Sequence, residues 1–265
     1  MPTYGLVSRA GVIPLSWSLD HLGPLARTVE DAALFLNAIV GHDPADAASV
    51  DRPGFDATAG LGRSIRGVRV GVARSQFASC EPGVAAAVDA ALLVLRDLGA
   101  TVEDVSLPML DAGYRSVVLT VEAAAYHAQW LRERPGDYSQ DVRTLLQWGL
   151  TIPAYEYVNA LRVRREFTDE VSTVMQRWDL IAMPTCDRVT GPIAELRAGG
   201  YRHSGPTAPW DHTGQPVISV PCGFGEGGLP VGLSLAARPF AEPLLCQVAH
   251  AFEQATPWKD AAPPL

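Results

Sequence analysis

Few side chains in this sequence could act as nucleophile or base, and their neighbours limit each one. Cys222 with His212 could form a thiol–imidazole nucleophile, but no cysteine-hydrolase signature surrounds either residue, and such signatures do not transfer between families. Ser219 lies inside Val217-Ile218-Ser219-Val220 with no G-x-S-x-G elbow around it, so a structural strand position is expected. The pair Asp20-His21 invites the acid–base half of a triad. The segment Gly223-Phe224-Gly225-Glu226-Gly227-Gly228 is rich enough in glycine to suggest a phosphate loop. Such a loop leads from a strand into a helix N-terminus, whereas this one leads into a second strand-like run, so a connection is expected.

Serine–lysine chemistry is limited by a different fact. Apart from Lys259, every lysine or arginine position in the chain is arginine. A catalytic base must accept a proton near neutral pH, which an amine can be tuned to do and a guanidinium cannot. Lys259 sits in the Pro-rich tail Thr256-Pro257-Trp258-Lys259 and is expected to be solvated. A catalytic lysine is therefore expected from outside this chain, or the chain is inactive.

The elements that must position these residues follow from pattern. Thr28 can cap a helix with Glu30 and Asp31 in its first turn, with Val29, Ala32, Ala33, Leu36 and Ile39 as its buried stripe and Gly41 as its stop. A short strand over 68–73, a helix from Pro82 to about Leu98 and a strand over 101–107 predict a parallel crossover with helices on the sheet. Helical patterns follow over 111–131, 141–148 and 153–178. In the last, Val163, Phe167, Val171, Val174 and Trp178 form a core-facing stripe. A buried strand over 180–183 precedes a Gly/Pro-rich loop over 186–215, long enough to suggest function. Strands over 217–220 and 231–236 and a closing helix over 243–254 complete the chain, without an internal repeat.

The chain has 265 residues, 48% of them hydrophobic, and suits a single domain over 1–265. Its net charge of −8 and scattered arginines argue against nucleic acid as a partner and against a polybasic membrane anchor. No apolar run reaches the ~20 residues of a membrane span, and no signal peptide leads the chain, so a cytoplasmic location is expected. Cys80, Cys186, Cys222 and Cys246 form no C-x-x-C pair and read as reduced thiols. The six histidines show no H-x-H or H-x-x-x-H spacing, so no metal is expected.

A set of ordered blocks adds to this reading. Pro2-Thr3-Tyr4-Gly5-Leu6-Val7-Ser8-Arg9 runs into Gly11-Val12-Ile13-Pro14-Leu15-Ser16-Trp17-Ser18-Leu19-Asp20-His21, then Gly23-Pro24, Arg27-Thr28-Val29-Glu30-Asp31 and Gly41-His42-Asp43-Pro44. Later come Asp179 to Thr185, Gly214-Gln215-Pro216-Val217-Ile218-Ser219-Val220-Pro221-Cys222-Gly223, Gly228 to Leu233 and Arg238-Pro239-Phe240. In this order they resemble the amidase-signature family of serine hydrolases. The resemblance implies an α/β fold, a mixed sheet flanked by helices, of which this chain holds the C-terminal portion with the N-terminal part missing. It also casts Asp20-His21 as a packing and turn element, with Asp20 accepting hydrogen bonds from the backbone or Arg27.

Members of that family cleave carboxylic amides with a serine nucleophile, a second serine in a cis peptide and a lysine, and use no cofactor. The resemblance implies that all three precede Met1, so no catalytic residue is assigned to this chain and the chain alone is expected to be inactive. What it would supply is the pocket wall, around Tyr114 to Trp148 and in the Ser204 to Thr213 loop, with Trp148, Trp210 and Asp211 as candidate substrate-binding residues. Members that draw ammonia from glutamine clamp it with arginines before the glycine matched by Gly149 and an acidic residue before Thr207. Here Thr144-Leu145 and Ser204 stand instead, which favours a less polar amide. The expected partners are a small-molecule amide and either a second copy or a chain supplying the missing segment. Rival readings are a non-catalytic binding or assembly module, a glutamine-dependent amidotransferase of the A type, and a truncated frame that never folds.

Overall fold

A computed structural model describes residues 1–111, 117–197 and 208–262. Its centre is a five-stranded mixed sheet in the order β2-β1-β3-β5-β4. The strands are β1 (Arg69–Val72), β2 (Thr101–Asp104), β3 (Leu180–Pro184), β4 (Val217–Phe224) and β5 (Pro230–Ala237). Strand β1 pairs in parallel with both β2 and β3, while β5 runs antiparallel between β3 and β4. The expected crossover is present: α2 (Pro82–Asp97) carries the chain from β1 to β2.

Alternation along β3 assigns the two faces. Leu180 and Ala182 join Val70, Val72, Leu233, Leu235 and Ala237 under α2 and α9 (Glu242–Gln254). Ile181 and Met183 join Ala73 and Ala236 on the opposite face, under Phe167, Val171, Met175, Trp178 and Trp210. Every residue of β3 is buried, as a strand covered on both faces requires. Helix α1 (Val29–Ile39) packs outside α9, capped by Thr28 Oγ1 accepting from Asp31 N at 3.1 Å. Its second orphan donor, Val29 N, reaches the carboxylate of Glu253, a buried residue of α9, at 2.9 Å.

Outside the sheet, α4 (Val117–Glu133) and α5 (Gln140–Gly149) form a helical pair on α6 (Ala154–Val174), with a small core of Ala123, Leu131 and Leu146. The start of the helix expected over 111–131 lies outside the described residues; before them the chain makes only α3 (Pro108–Asp111). In α6, Phe167 and Val171 are buried but Val163 is 49% exposed. The expected stripe therefore fails at Val163, because the helix projects past the sheet before its C-terminal half packs on it. The stretch expected as a loop over 186–215 contains two short helices, α7 (Ile193–Arg197) and α8 (Ala208–Thr213). Their length gives them too little periodicity to read, and α8 owes its position to α6.

The α4–α5 crossing depends on Gly149. A Cβ there would lie 2.4 Å from Thr120 O and 2.6 Å from the Ala124 Cβ. Replacing an exposed helical glycine with alanine gains ~1 kcal/mol, but this contact is with backbone and cannot yield cheaply. Gly149→Ala should therefore destabilise the protein by about 2 kcal/mol through overpacking, read as a lower denaturation midpoint in urea.

Candidate functional site

The segment carrying Ser16 to His21 is bound to the helical layer through one carboxylate. Glu122 on α4 is 2% exposed. It accepts from Ser16 Oγ at 2.6 Å, Ser18 N at 3.1 Å, Ser18 Oγ at 2.8 Å and Tyr157 OH at 2.9 Å. From α6, Arg164 donates to Ser18 Oγ at 2.7 Å, Ser18 O at 2.8 Å and His212 O at 2.7 Å. Residues 16–18, α4, α6 and α8 thus share one polar network. Burial and then the hydrogen bond to Glu122 push the Tyr157 phenol up to about 12, so it stays a donor. Asp20 accepts from Leu15 N and Ser16 N at 2.9 and 3.0 Å, the backbone partners expected of it, while Arg27 is exposed. Nearby, Asp46 is held down to about 2, chiefly by the Arg9 guanidinium, and anchors the turn beneath this segment.

A second polar group surrounds Met1. Its amine donates to Val217 O and its carbonyl accepts from Val217 N, both at 2.8 Å. Burial lowers the amine's pKa, partly opposed by the carboxylates of Asp211 and Glu242. His21 Nδ1 lies 2.6 Å from Leu19 O and 3.6 Å from Asp211 Oδ1. Burial lowers His21 to about 4, so the ring is neutral at pH 7 and its contact with Asp211 is a dipolar one rather than an ion pair. Burial likewise raises Asp211 to about 6. Thr3 N donates to Glu242 Oε1 at 2.7 Å, and Thr3 Oγ1 accepts from Phe240 N at 2.7 Å.

The sequence candidates divide between these regions. Trp148 is 53% exposed on α5. Trp210, on α8, is 1% exposed and belongs to the core between the sheet and α6, while its neighbour Asp211 faces His21 and Met1. The structure therefore brings Asp211 to the N-terminal segment and leaves Trp148 on the helical pair. Tyr114 and Ser204 lie outside the described residues. Burial raises the Cys222 thiol to about 12 and lowers His212 to about 3, which removes the thiolate–imidazole option. Lys259 is half-buried and spends its Nζ on Gln254 Oε1 at 3.0 Å. No group of three His, Cys, Asp or Glu close enough to hold a metal occurs among the described residues. No described helix is long and apolar enough to cross a membrane. Sequence reasoning missed Glu122, Tyr157 and Arg164. The available signal was a single carboxylate inside the apolar run Val121-Glu122-Ala123-Ala124.

Comparison with known proteins places this geometry. The amidase family model matches residues 1–246. The chain is 38% identical over its whole length to an amidase of Pseudomonas putida, of which it covers 59%. It is 36% identical to the A-type component of the glutamyl-tRNA(Gln) amidotransferase of Moorella thermoacetica, of which it covers 60%. The solved structure of 6-aminohexanoate cyclic dimer hydrolase complexed with substrate superposes on 99% of the chain with a TM-score of 0.82 at 26% identity, over 61% of that protein. The chain thus spans about three-fifths of the length of these relatives and carries their mixed sheet with its flanking helices. It belongs to the amidase family, whose signature enzymes it resembles from its first residues to its closing helix.

Proposed function

We propose that this chain is the substrate-side portion of an amidase that hydrolyses a carboxylic amide to carboxylate plus ammonia or amine through a serine, a cis-serine and a lysine, none of them in this sequence. The family match over residues 1–246 carries the reading. Its chemical support is the lysine content. Lys259 is the chain's lone lysine, it is bonded to Gln254 Oε1, and it lies in the tail beyond α9. Lysine is the base in question, and the one lysine is not held near a serine among the described residues: its Nζ is bonded to Gln254. Asp211 and the exposed Trp148 are the proposed substrate contacts: a carboxylate to take an amide N–H and an apolar wall. Trp210 would act behind Asp211, fixing α8 from within the core.

Kinship with the glutamyl-tRNA(Gln) amidotransferase gives a second reading, in which glutamine supplies ammonia. Thr144 argues against it. Its hydroxyl is spent on Gln140 O at 2.7 Å, and it offers no cation for a glutamine carboxylate.

Two outcomes are expected. The purified chain should release no ammonia from propionamide, benzamide or glutamine and should not react with a fluorophosphonate probe. With the unmatched portion of the Pseudomonas putida amidase co-expressed, hydrolysis should appear and favour the neutral amides over glutamine. Turnover by the chain alone would overturn the reading, and a marked preference for glutamine would restore the amidotransferase one. The second outcome concerns Asp211. Its folded pKa of about 6 lies above the ordinary 3.8, so the folded state penalises the ionised form. That penalty is complete above about pH 6 and vanishes below about pH 4. Asp211→Asn should therefore raise Tm at about pH 8 and leave it unchanged at about pH 3.5. The gain should be modest, because the side chain is 38% exposed and screened by solvent.

A further inference from the structure

The segment Arg52-Pro53-Gly54-Phe55 is a tight turn, closed by Phe55 N donating to Arg52 O at 3.1 Å. Proline presets the φ of its second residue, and Gly54, with a φ of 76°, supplies the left-handed third residue that a Pro-Gly turn requires. Just beyond it, Asn37 on α1 grips the chain with both ends of its amide. Its Nδ2 donates to Asp56 Oδ1 and its Oδ1 accepts from Ala57 N, each at 2.8 Å. Thr58 donates to the same Asp56 oxygen from both its N–H and its hydroxyl. The turn is thus stiff and fastened to a helix. Arg52 itself is exposed and, among the described residues, makes no ion pair and no side-chain hydrogen bond.

What holds the Arg52 side chain is a ring. Its Cζ lies 4.1 Å from the centroid of Phe240, so the guanidinium is stacked by a cation–π contact while the N–H groups on its edge stay unused. Phe240 reaches that position through an unfavourable backbone. Among the described residues it is the one non-glycine with a positive φ, 65°, where a Cβ crowds the following carbonyl. Its N–H is tied to Thr3 Oγ1 at 2.7 Å, which helps to impose the conformation. Strain of this kind persists only where the surroundings enforce it, and it gathers at ligand sites. An open hollow of about 440 Å³ lies beside the stack, walled by Phe55, Phe240 and Pro243, with Asp51, Arg52 and Asp56 as its charged residues.

We propose that this hollow is a binding site for a small monocarboxylate with an apolar body. The carboxylate pairs with the unused N–H edge of Arg52, fork to fork, and the hydrocarbon part lies on Phe55 and Pro243. The two aspartates set the charge of the ligand. A single negative charge is answered by the guanidinium, whereas a dianion such as phosphate would also meet the field of Asp51 and Asp56. The size of the hollow suits a small molecule rather than a protein surface. Neither Asp211 nor Trp148 lines it, so the site is separate from the substrate contacts proposed above and holds whichever amide the protein cleaves.

The test reads binding and needs no turnover, so it stands apart from the amidase assay. The full chain is titrated calorimetrically at neutral pH with benzoate, with benzamide of the same shape but no charge, and with inorganic phosphate. Benzoate should bind saturably with a Kd on the order of millimolar, as suits one paired head group on an open surface. Benzamide and phosphate should each bind about tenfold more weakly, the size of one charge-assisted pair. Arg52→Ala, at an exposed position, should keep the wild-type melting curve and lose benzoate binding. Arg52→Lys keeps the charge without the fork and should weaken it severalfold, as should Phe240→Leu, which removes the stack. In nitrogen-15 spectra the Arg52 Nε resonance should move as benzoate is added. Benzoate binding that survives Arg52→Ala, a silent Arg52 Nε, or benzamide or phosphate binding as tightly as benzoate would overturn the proposal.

Discussion

A buried carboxylate must find donors or lose its charge, and in this protein that requirement ties the N-terminal segment to the helical layer. Glu122 finds its donors in two hydroxyls and one amide of residues 16–18 and in a phenol from α6. The neighbouring guanidinium of Arg164 completes the junction by holding Ser18 and the carbonyl of His212. Without these bonds the N-terminal segment would lie on the helices through scattered contacts, several of its apolar residues being exposed. Ile13 is 73% exposed and Leu25 is fully so. The placement of α8, and with it Asp211, depends on the same junction.

The sheet and its main helices were legible because their signals are periodic and local. Strand β3 read as a short apolar run, α2 as a Pro-opened amphipathic helix, and α1 as a Thr-capped one, and each is found within a few residues of its expected bounds. What escaped was set at long range. Val163 shares the spacing of Phe167 and Val171, yet only the latter two reach the sheet. Glu122 draws its partners from residues 16–18 and from Tyr157, and no local pattern announces such a pairing. Helix α8 is too short to have a period of its own. Of the candidate contacts, the aromatic type of Trp148 and Trp210 said nothing about burial, and the structure separates them, one on an exposed helix face and the other inside the core.

Charge near the N-terminal segment follows the same logic of desolvation. His21 is neutral because the space around it is closed, and Asp211 holds its proton more tightly because the neighbouring Met1 amine only partly offsets its burial. Both groups lie beside the backbone pair that links Met1 to β4.

Strand β5 comes after the other four strands in the sequence, yet it sits inside the sheet, between β3 and β4. Until Pro230–Ala237 has left the ribosome, β3 lacks one of its neighbours and β4 lacks the strand that joins it to the sheet. The nascent chain can form the β1–α2–β2 unit early, but the centre of the sheet must wait for its final strand. During that interval β3, wholly apolar in the finished protein, presents an open edge to other chains. The order of synthesis thus sets the interval between the emergence of β3 and that of β5 as the time during which this edge stays unpaired.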